Sequence, residues 1–203
     1  MVGKTAWVPT MISLRFRPSS LQSHIWFDEE LPATPRLRDF DAVEDFPATG
    51  STPGSPRRVA IELSVITGPI ALYGLLGCRF EPNSLSSRVK LSISDDGPIN
   101  FARPLPAPRL YEKVTPGLMA EFVPAIRDGA RSAACDIQWA PGDVMFDLAC
   151  HDPVGSCQAV FGFLGWALIT WLANQQWPPQ DERLRSVVAG FPGRSAGRAR
   201  ANS

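Results

Sequence analysis

The longest charge-free stretch of the chain constrains its fold most. No Asp, Glu, Lys or Arg lies between Pro153 and Gln180, and residues 159–173 are almost entirely apolar. A helix that spans a bilayer needs about 20 apolar residues, whereas this run has 15 and is interrupted by glycines. The pattern favours a helix buried against a sheet. Membrane insertion, or docking on a partner through Trp166 and Trp171, is the alternative interpretation.

Hydrophobic patterning predicts further elements between residues 59 and 180. β-Branched or alternating apolar residues predict strands at 59–66, 88–94 and 144–150. Amphipathic or apolar spacing predicts helices at 117–134 and at 157–174, the second capped by Ser156. Pro124 falls inside the first pattern, so the helix proper is expected to start there, with Pro124 near its first position. The run 71–78 contains two glycines and is of undetermined type. The order strand, strand, helix, strand, helix predicts an α+β fold, a two-layer sandwich of one sheet covered by two helices.

The two ends of the chain differ in composition from this central domain, 59–180. Residues 1–58 hold seven of the 20 prolines and seven charges of each sign, and 47–56 has the composition of a linker. They predict an extended arm, with one strand near Met11 and a docking anchor at 25–27. Residues 181–203 carry five arginines against two acids and predict a basic flexible tail.

Charge and cysteine content exclude several classes of protein. The formal net charge is zero, and the central domain has eight basic and eleven acidic side chains, which argues against a histone-like nucleic-acid binder. The four cysteines form no CxxC pair, so reduced thiols are expected, with no disulfide framework and no metal site. The N-terminal sequence has no signal-peptide pattern, which predicts a cytoplasmic protein.

Catalytic motifs are weak throughout the sequence. Residues 193–197 match G-x-S-x-G, but this match lies in the polar tail and not between a strand and a helix. Residues 3–5 resemble the end of a phosphate-binding loop without its upstream glycines. No acid is placed by sequence to orient His24, and the neighbour of His151 on a strand would point to the opposite face. We therefore predict no enzyme activity, no GTP site and no cofactor.

Three short strings occur in order between residues 59 and 174. The first is Arg-Pro-Leu-Pro at 103–106, followed by Tyr-Glu at 111–112. The second runs from Val114 through Phe-Val-Pro-Ala-Ile-Arg-Asp-Gly, which ends at Gly129. The third is Cys-His-Asp-Pro-Val-Gly-Ser at 150–156, before the apolar helix.

In this order the three strings resemble domain IV of elongation factor G and, more closely, of the tetracycline ribosomal protection proteins. This resemblance implies a fold and a partner. The fold is the ribosomal protein S5 domain 2-like βαβ arrangement with a left-handed crossover. The partner is the ribosome, where domain IV reaches small-subunit rRNA near the decoding centre, here without a GTPase domain and so as a degenerate or truncated family member. By resemblance, the rRNA contacts are His151, Asp152, Pro153, Val154 and Ser156, with Arg103, Pro104, Leu105 and Pro106 beside them.

Overall fold

The computed structural model describes residues 10–16, 21–28, 40–51, 53–67, 69–84, 88–94, 110, 114–135 and 137–191. Eight strands and three α-helices occur in these ranges. The strands are β1 (Thr10–Arg15), β2 (Leu21–Phe27), β3 (Phe40–Pro47), β4 (Arg57–Thr67), β5 (Ile70–Pro82), β6 (Arg88–Ser94), β7 (Thr115–Pro116) and β8 (Gly142–His151). The helices are α1 (Val123–Ala134), α2 (Gln158–Leu172) and α3 (Asp181–Ala189). The predicted α+β class is confirmed.

All eight strands belong to one sheet with the order β1-β2-β4-β5-β8-β6-β3, and β7 pairs with β8. The pairs are antiparallel except β6 with β8, which are parallel and are joined through α1. A β-bulge in the β5–β8 pair makes Asp147 the extra residue, because Cys78 pairs with Phe146 and Gly77 with Leu148. Side chains of β8 therefore change faces at this point.

The sheet has two different faces. The main core lies between the helices and alternate strand residues such as Ile61, Leu76 and Phe146. A smaller buried cluster uses the intervening positions, which point to the opposite face. Its members are Trp26, Ala60, Tyr73, Leu75, Leu148 and Cys150. The strand alternation thus produces one helix-covered face and one face with a compact apolar and polar cluster.

The charge-free segment forms α2, which packs on β4, β5 and α1. Its Phe161, Leu164, Leu168 and Trp171 are fully buried. The interpretation as a buried core helix is therefore confirmed. None of the helices in the described part of the chain has the length and apolar character needed to cross a bilayer.

The predicted strands and helices correspond to β4, β6, β8, α1 and α2, and α1 begins next to Pro124 as expected. The run 71–78, left undetermined, lies inside β5. The N-cap of α2 is Cys157, one residue after the predicted Ser156, and it makes no side-chain capping hydrogen bond.

The prediction of an extended arm at 1–58 does not describe the folded part of this region. Strands β1, β2 and β3 extend the sheet at both edges, and Leu21, Ile25 and Phe27 of β2 are core residues. The expected anchor at 25–27 is thus part of the protein's own interior. Its partner strand β4 lies more than 30 residues further along the chain, so local composition does not reveal the pairing.

The prediction of a flexible tail at 181–203 is also corrected for its first part. Residues 181–189 form α3, which buries Leu184, Val187 and Val188. Phe191 follows it and packs edge to face on Phe163 of α2, with ring centroids 5.0 Å apart. The basic residues of the tail beyond 191 lie outside the described residues.

Hydrogen bonds from Arg57 of β4 join the end of α2 to the sheet. Arg57 donates from Nη1 to the carbonyl oxygens of Leu172 (2.6 Å) and Asn174 (2.5 Å), and its guanidinium lies 4.9 Å from the ring centroid of Trp177. Trp177 in turn donates from Nε1 to Asp28 Oδ2 at 2.6 Å. The two Arg57 bonds satisfy carbonyl groups at and just beyond the end of α2, which have no helical partner there.

Glycines allow α1 and α2 to approach closely. A Cβ added at Gly129 would overlap the carbonyl oxygen of Gly162, and one added at Gly165 would lie 2.7 Å from the carbonyl oxygen of Ile126. In both cases the obstacle is backbone, which cannot move aside as a flexible side chain can. The interhelical distance therefore depends on these glycines.

We predict that Gly129→Ala destabilises the protein by about 2–3 kcal/mol, because the added methyl group must push the two helices apart. Urea unfolding monitored by tryptophan fluorescence measures the change. Gly54→Ala is the matched control, since its Cβ would make an ordinary 3.5 Å contact. Equal stability of the two variants would contradict the close helix contact.

Candidate functional site: the turn after strand β8

The turn at residues 152–156, called here the β8 turn, connects β8 to α2. Asp152 Oδ2 accepts a hydrogen bond from the Gly155 amide at 2.6 Å. Ser156 Oγ accepts from the Asp152 amide at 2.8 Å and donates to the carbonyl oxygen of Tyr73 at 2.7 Å. The Tyr73 amide donates to the carbonyl oxygen of Gly155 at 3.1 Å. The Asp152 side chain thus closes the turn on itself, while the Ser156 hydroxyl and the Gly155 carbonyl connect the turn to β5.

Gly155 is required at its position by the same contact. A Cβ there would overlap the carbonyl oxygen of Ala71 and would lie 2.6 Å from Asp152 Oδ2. A turn this close to the neighbouring strand leaves no room for a side chain. The side chains of Pro153 and Val154 therefore face solvent, while the backbone of Gly155 lies against β5.

The predicted contact residues divide into two groups. His151 and Asp152 are only 4% and 5% exposed, and Ser156 is half-buried. Pro153 is exposed, and Val154, at 78%, is the most exposed large hydrophobic residue among those described. In this arrangement the outward surface of the turn consists of Pro153 and Val154.

His151 has a structural environment. Its Nδ1 lies 3.1 Å from the carbonyl oxygen of Gly117, to which it donates, and its ring packs on Phe122 with centroids 6.2 Å apart. His151 thereby ties β8 to the segment that leads into α1. The other predicted contacts, Arg103, Pro104, Leu105 and Pro106, lie outside the described residues, so their position relative to the β8 turn stays a prediction.

We predict that Asp152→Ala lowers the free energy of unfolding by about 2 kcal/mol, because the Gly155 amide loses a buried charged acceptor. Hydrogen exchange should show faster exchange of the Gly155 amide. Asp143→Ala, which removes a half-buried carboxylate from β8 itself, serves as the control. Unchanged protection of Gly155 in Asp152→Ala would show that the side chain does not hold the turn.

A second polar group lies on the sheet face opposite the helices. Glu62 is fully buried, and its Oε2 lies 3.0 Å from His24 Nδ1. Tyr73 donates from its hydroxyl to Glu62 Oε1 at 3.1 Å, and the Leu110 amide donates to the same oxygen at 3.3 Å. His24 thus has an orienting acid that its sequence neighbourhood did not indicate. The available signal was Glu62 itself, the one charged residue between Val59 and Thr67.

Burial raises the pKa values of one phenol and two thiols, with Tyr73 and Cys150 on this face of the sheet and Cys78 in the main core. It raises the pKa of the Tyr73 phenol well above its ordinary value of 10.0, with the Glu62 charge adding to the effect. Burial and then Glu62 raise the pKa of the Cys150 thiol in the same way. Burial and Asp147 raise that of Cys78. Both thiols are therefore poor nucleophiles. The hydrogen bonds of Glu62 to His24, Tyr73 and the Leu110 amide connect β2, β4 and β5 with Leu110.

We predict that stability falls as the pH rises above about 9. The folded pKa values of Cys78 and Cys150 are raised, so only the unfolded chain releases these protons, and each adds up to about 1.4 kcal/mol of destabilisation per pH unit. Urea unfolding under reducing conditions at pH 8 and pH 10 measures the loss. Cys78→Ala, although less stable at both pH values, should lose less between them. If Cys78→Ala and the unaltered protein lost equal amounts of unfolding free energy between pH 8 and pH 10, the raised pKa of Cys78 would be contradicted.

No group of three or more His, Cys, Asp or Glu side chains within the described ranges is arranged to hold a metal ion.

No protein-family model matches the sequence, and no curated protein matches it either. The β8 turn is therefore the candidate site on the strength of its geometry.

Proposed function

We propose that this protein is a non-enzymatic, translation-factor-like domain that binds small-subunit rRNA near the decoding centre through the β8 turn. The observation that carries the proposal is the exposure of Val154 on a turn whose backbone is fixed by Asp152, Ser156 and Tyr73. Binding residues commonly lie on loops that a rigid scaffold positions, and the hydrogen bonds of this turn hold Val154 in such a place.

Preorganisation supports this role. A loop that is already rigid loses little conformational entropy when it binds, so more of its contact energy appears as affinity. Proline at 153 limits the backbone further. In this proposal Pro153 and Val154 contact the rRNA, while His151, Asp152 and Ser156 act as positioning residues.

The resemblance to domain IV of elongation factor G and the protection proteins supports the choice of partner. It rests on the strings at 103–106, 114–129 and 150–156, and it suggests a second contact from Arg103, Pro104, Leu105 and Pro106. The β6-α1-β8-α2 order agrees with the βαβ arrangement that the resemblance implies. No step of this proposed function uses GTP or a cofactor.

The alternative, docking on a protein or membrane surface through the Trp/Phe-rich helix or the N-terminal arm, has less support. Trp171 is fully buried, and Ile25, Trp26 and Phe27 are at most 2% exposed. Trp166 is partly buried against the main core. The side chains on which this alternative depends thus already have neighbours inside the protein.

We predict that Val154→Ser weakens binding to purified small ribosomal subunits about tenfold, because about 1.4 kcal/mol of apolar contact is lost. Serine is uncharged, so the substitution does not weaken binding through electrostatic repulsion from the rRNA phosphates. Affinity is measured by co-sedimentation with 30S subunits at 50 mM KCl.

Met11→Ser is the matched control, since Met11 is also exposed and apolar but lies on edge strand β1. It should bind like the unaltered protein. Absence of any co-sedimentation of the unaltered protein at low salt would rule out the proposed function.

A further inference from the structure

The two edge strands of the sheet differ in how well they block pairing with another strand. Strand β3 has a β-bulge near its start, ends at Pro47 and carries the acids Glu44 and Asp45. Bulges, prolines and charges on an edge strand prevent association between sheets. Strand β1 has no proline and no bulge, and Arg15 is its single charged residue. No strand in the described part of the chain pairs with the outer side of β1.

The backbone groups on the outer side of β1 belong to Met11, Ser13 and Arg15. The Phe16 amide donates to the carbonyl oxygen of Leu21 at 3.1 Å, in the same register as the β1–β2 pairs. Hydrogen-bonded and non-hydrogen-bonded pairs alternate along an antiparallel ladder. The even-numbered residues of β1 therefore bond to β2, and the odd-numbered residues direct their N–H and C=O groups outwards.

The other side of β2 agrees with this alternation. The Asp28 amide donates to the carbonyl oxygen of Arg58 at 2.9 Å, so the even-numbered residues of β2 bond to β4. The odd-numbered residues of β2 are then the ones that bond to β1, and they pair with its even-numbered residues.

A second copy of this chain matches the edge of β1. If two β1 strands pair antiparallel about a two-fold axis at Ser13, Ser13 lies opposite itself and Met11 lies opposite Arg15 of the second copy. All residues with outward backbone groups then form hydrogen-bonded pairs, and each pair exchanges two bonds. The two Arg15 side chains stay apart, because each faces the uncharged Met11 side chain.

The same register matches side chains on both faces of the joined sheet. Leu14 belongs to the main core and Ile12 packs against that core, so both lie on the helix-covered face. Residues directly opposite each other in an antiparallel pair share a face, and Ile12 lies opposite Leu14 of the second copy. Met11, 37% exposed, lies on the other face, where the methylene groups of the opposing Arg15 cover it.

We propose that β1 is a self-association edge, through which two copies of this chain pair about a two-fold axis at Ser13 and form one continuous sheet. The proposal goes beyond the proposed function and does not depend on it, because β1 has no part in the contacts of the β8 turn.

Proline at position 13 tests the backbone pairing. The Ser13 amide points away from β2, so Ser13→Pro removes an intermolecular donor from each copy and leaves the β1–β2 bonds in place. Sedimentation velocity over a concentration series should show dimerisation weakened about thirtyfold. Ser13→Ala is the matched control, because it keeps the amide and should dimerise like the unaltered protein. Equal weakening by the two variants would show that the backbone at Ser13 does not pair.

Charged side chains at the same position test the two-fold register. Ser13→Lys and Ser13→Glu each place two like charges opposite each other, so each variant alone should dimerise about fivefold more weakly. An equimolar mixture of the two should recover dimers, because opposite charges then face each other across the axis. Thermal melts confirm that each variant is folded. A mixture that dimerises no better than its components would overturn the register.

The association state of the unaltered protein tests the proposal as a whole. Its mass should rise from that of one chain to that of two as the concentration increases. A monomer at every concentration up to about 0.2 mM would overturn the proposal, and assemblies that grow beyond two chains would contradict the closed two-fold pairing. Dimerisation without any binding to 30S subunits would support this proposal and reject the proposed function.

Discussion

The contact between α1 and α2 determines how the rest of the molecule is arranged. Without side chains at Gly129 and Gly165, the two helices meet backbone to backbone, and together they cover the middle of the sheet. Helix α2 can then be apolar on all sides, since the sheet, α1 and the residues of α3 surround it. Its C-terminal carbonyls, which would otherwise be buried without partners, bond to Arg57.

The proposed docking turn depends on this packing. It connects β8, in the middle of the sheet, to α2, the most buried helix, so both of its ends are fixed. The hydrogen bonds of Asp152 and Ser156 leave only the outward side chains free to make contacts with a partner.

Much of the central domain could be predicted because its signals are local. β-Branched runs, alternation in β6 and the helical spacing around Pro124 each act within a few residues. The strand expected near Met11 is β1. Strands β2 and β3 were missed because β4 and β6, with which they pair, lie more than 30 residues away in the chain. The prolines and charges around β2 and β3 also give this region the composition of a linker. Helix α3 was missed because its buried residues are few and arginines surround them.

For the candidate site, sequence identified the segment but not the roles of its residues. Residues 150–156 were singled out by resemblance, and the outward residues Pro153 and Val154 were among those named. That His151 and Asp152 point inward could not be foreseen, because the bulge at Asp147 sets which face each later residue of β8 occupies. The partnership of His24 with Glu62 likewise depends on the register of β2 on β4.

The sequence by itself determined the α+β class and the buried apolar helix, because periodicity and charge-free length are properties of consecutive residues. The tertiary structure decided which side chains reach the surface and which strands extend the sheet. Those features depend on register and on packing between segments far apart in the chain, and no local pattern encodes them.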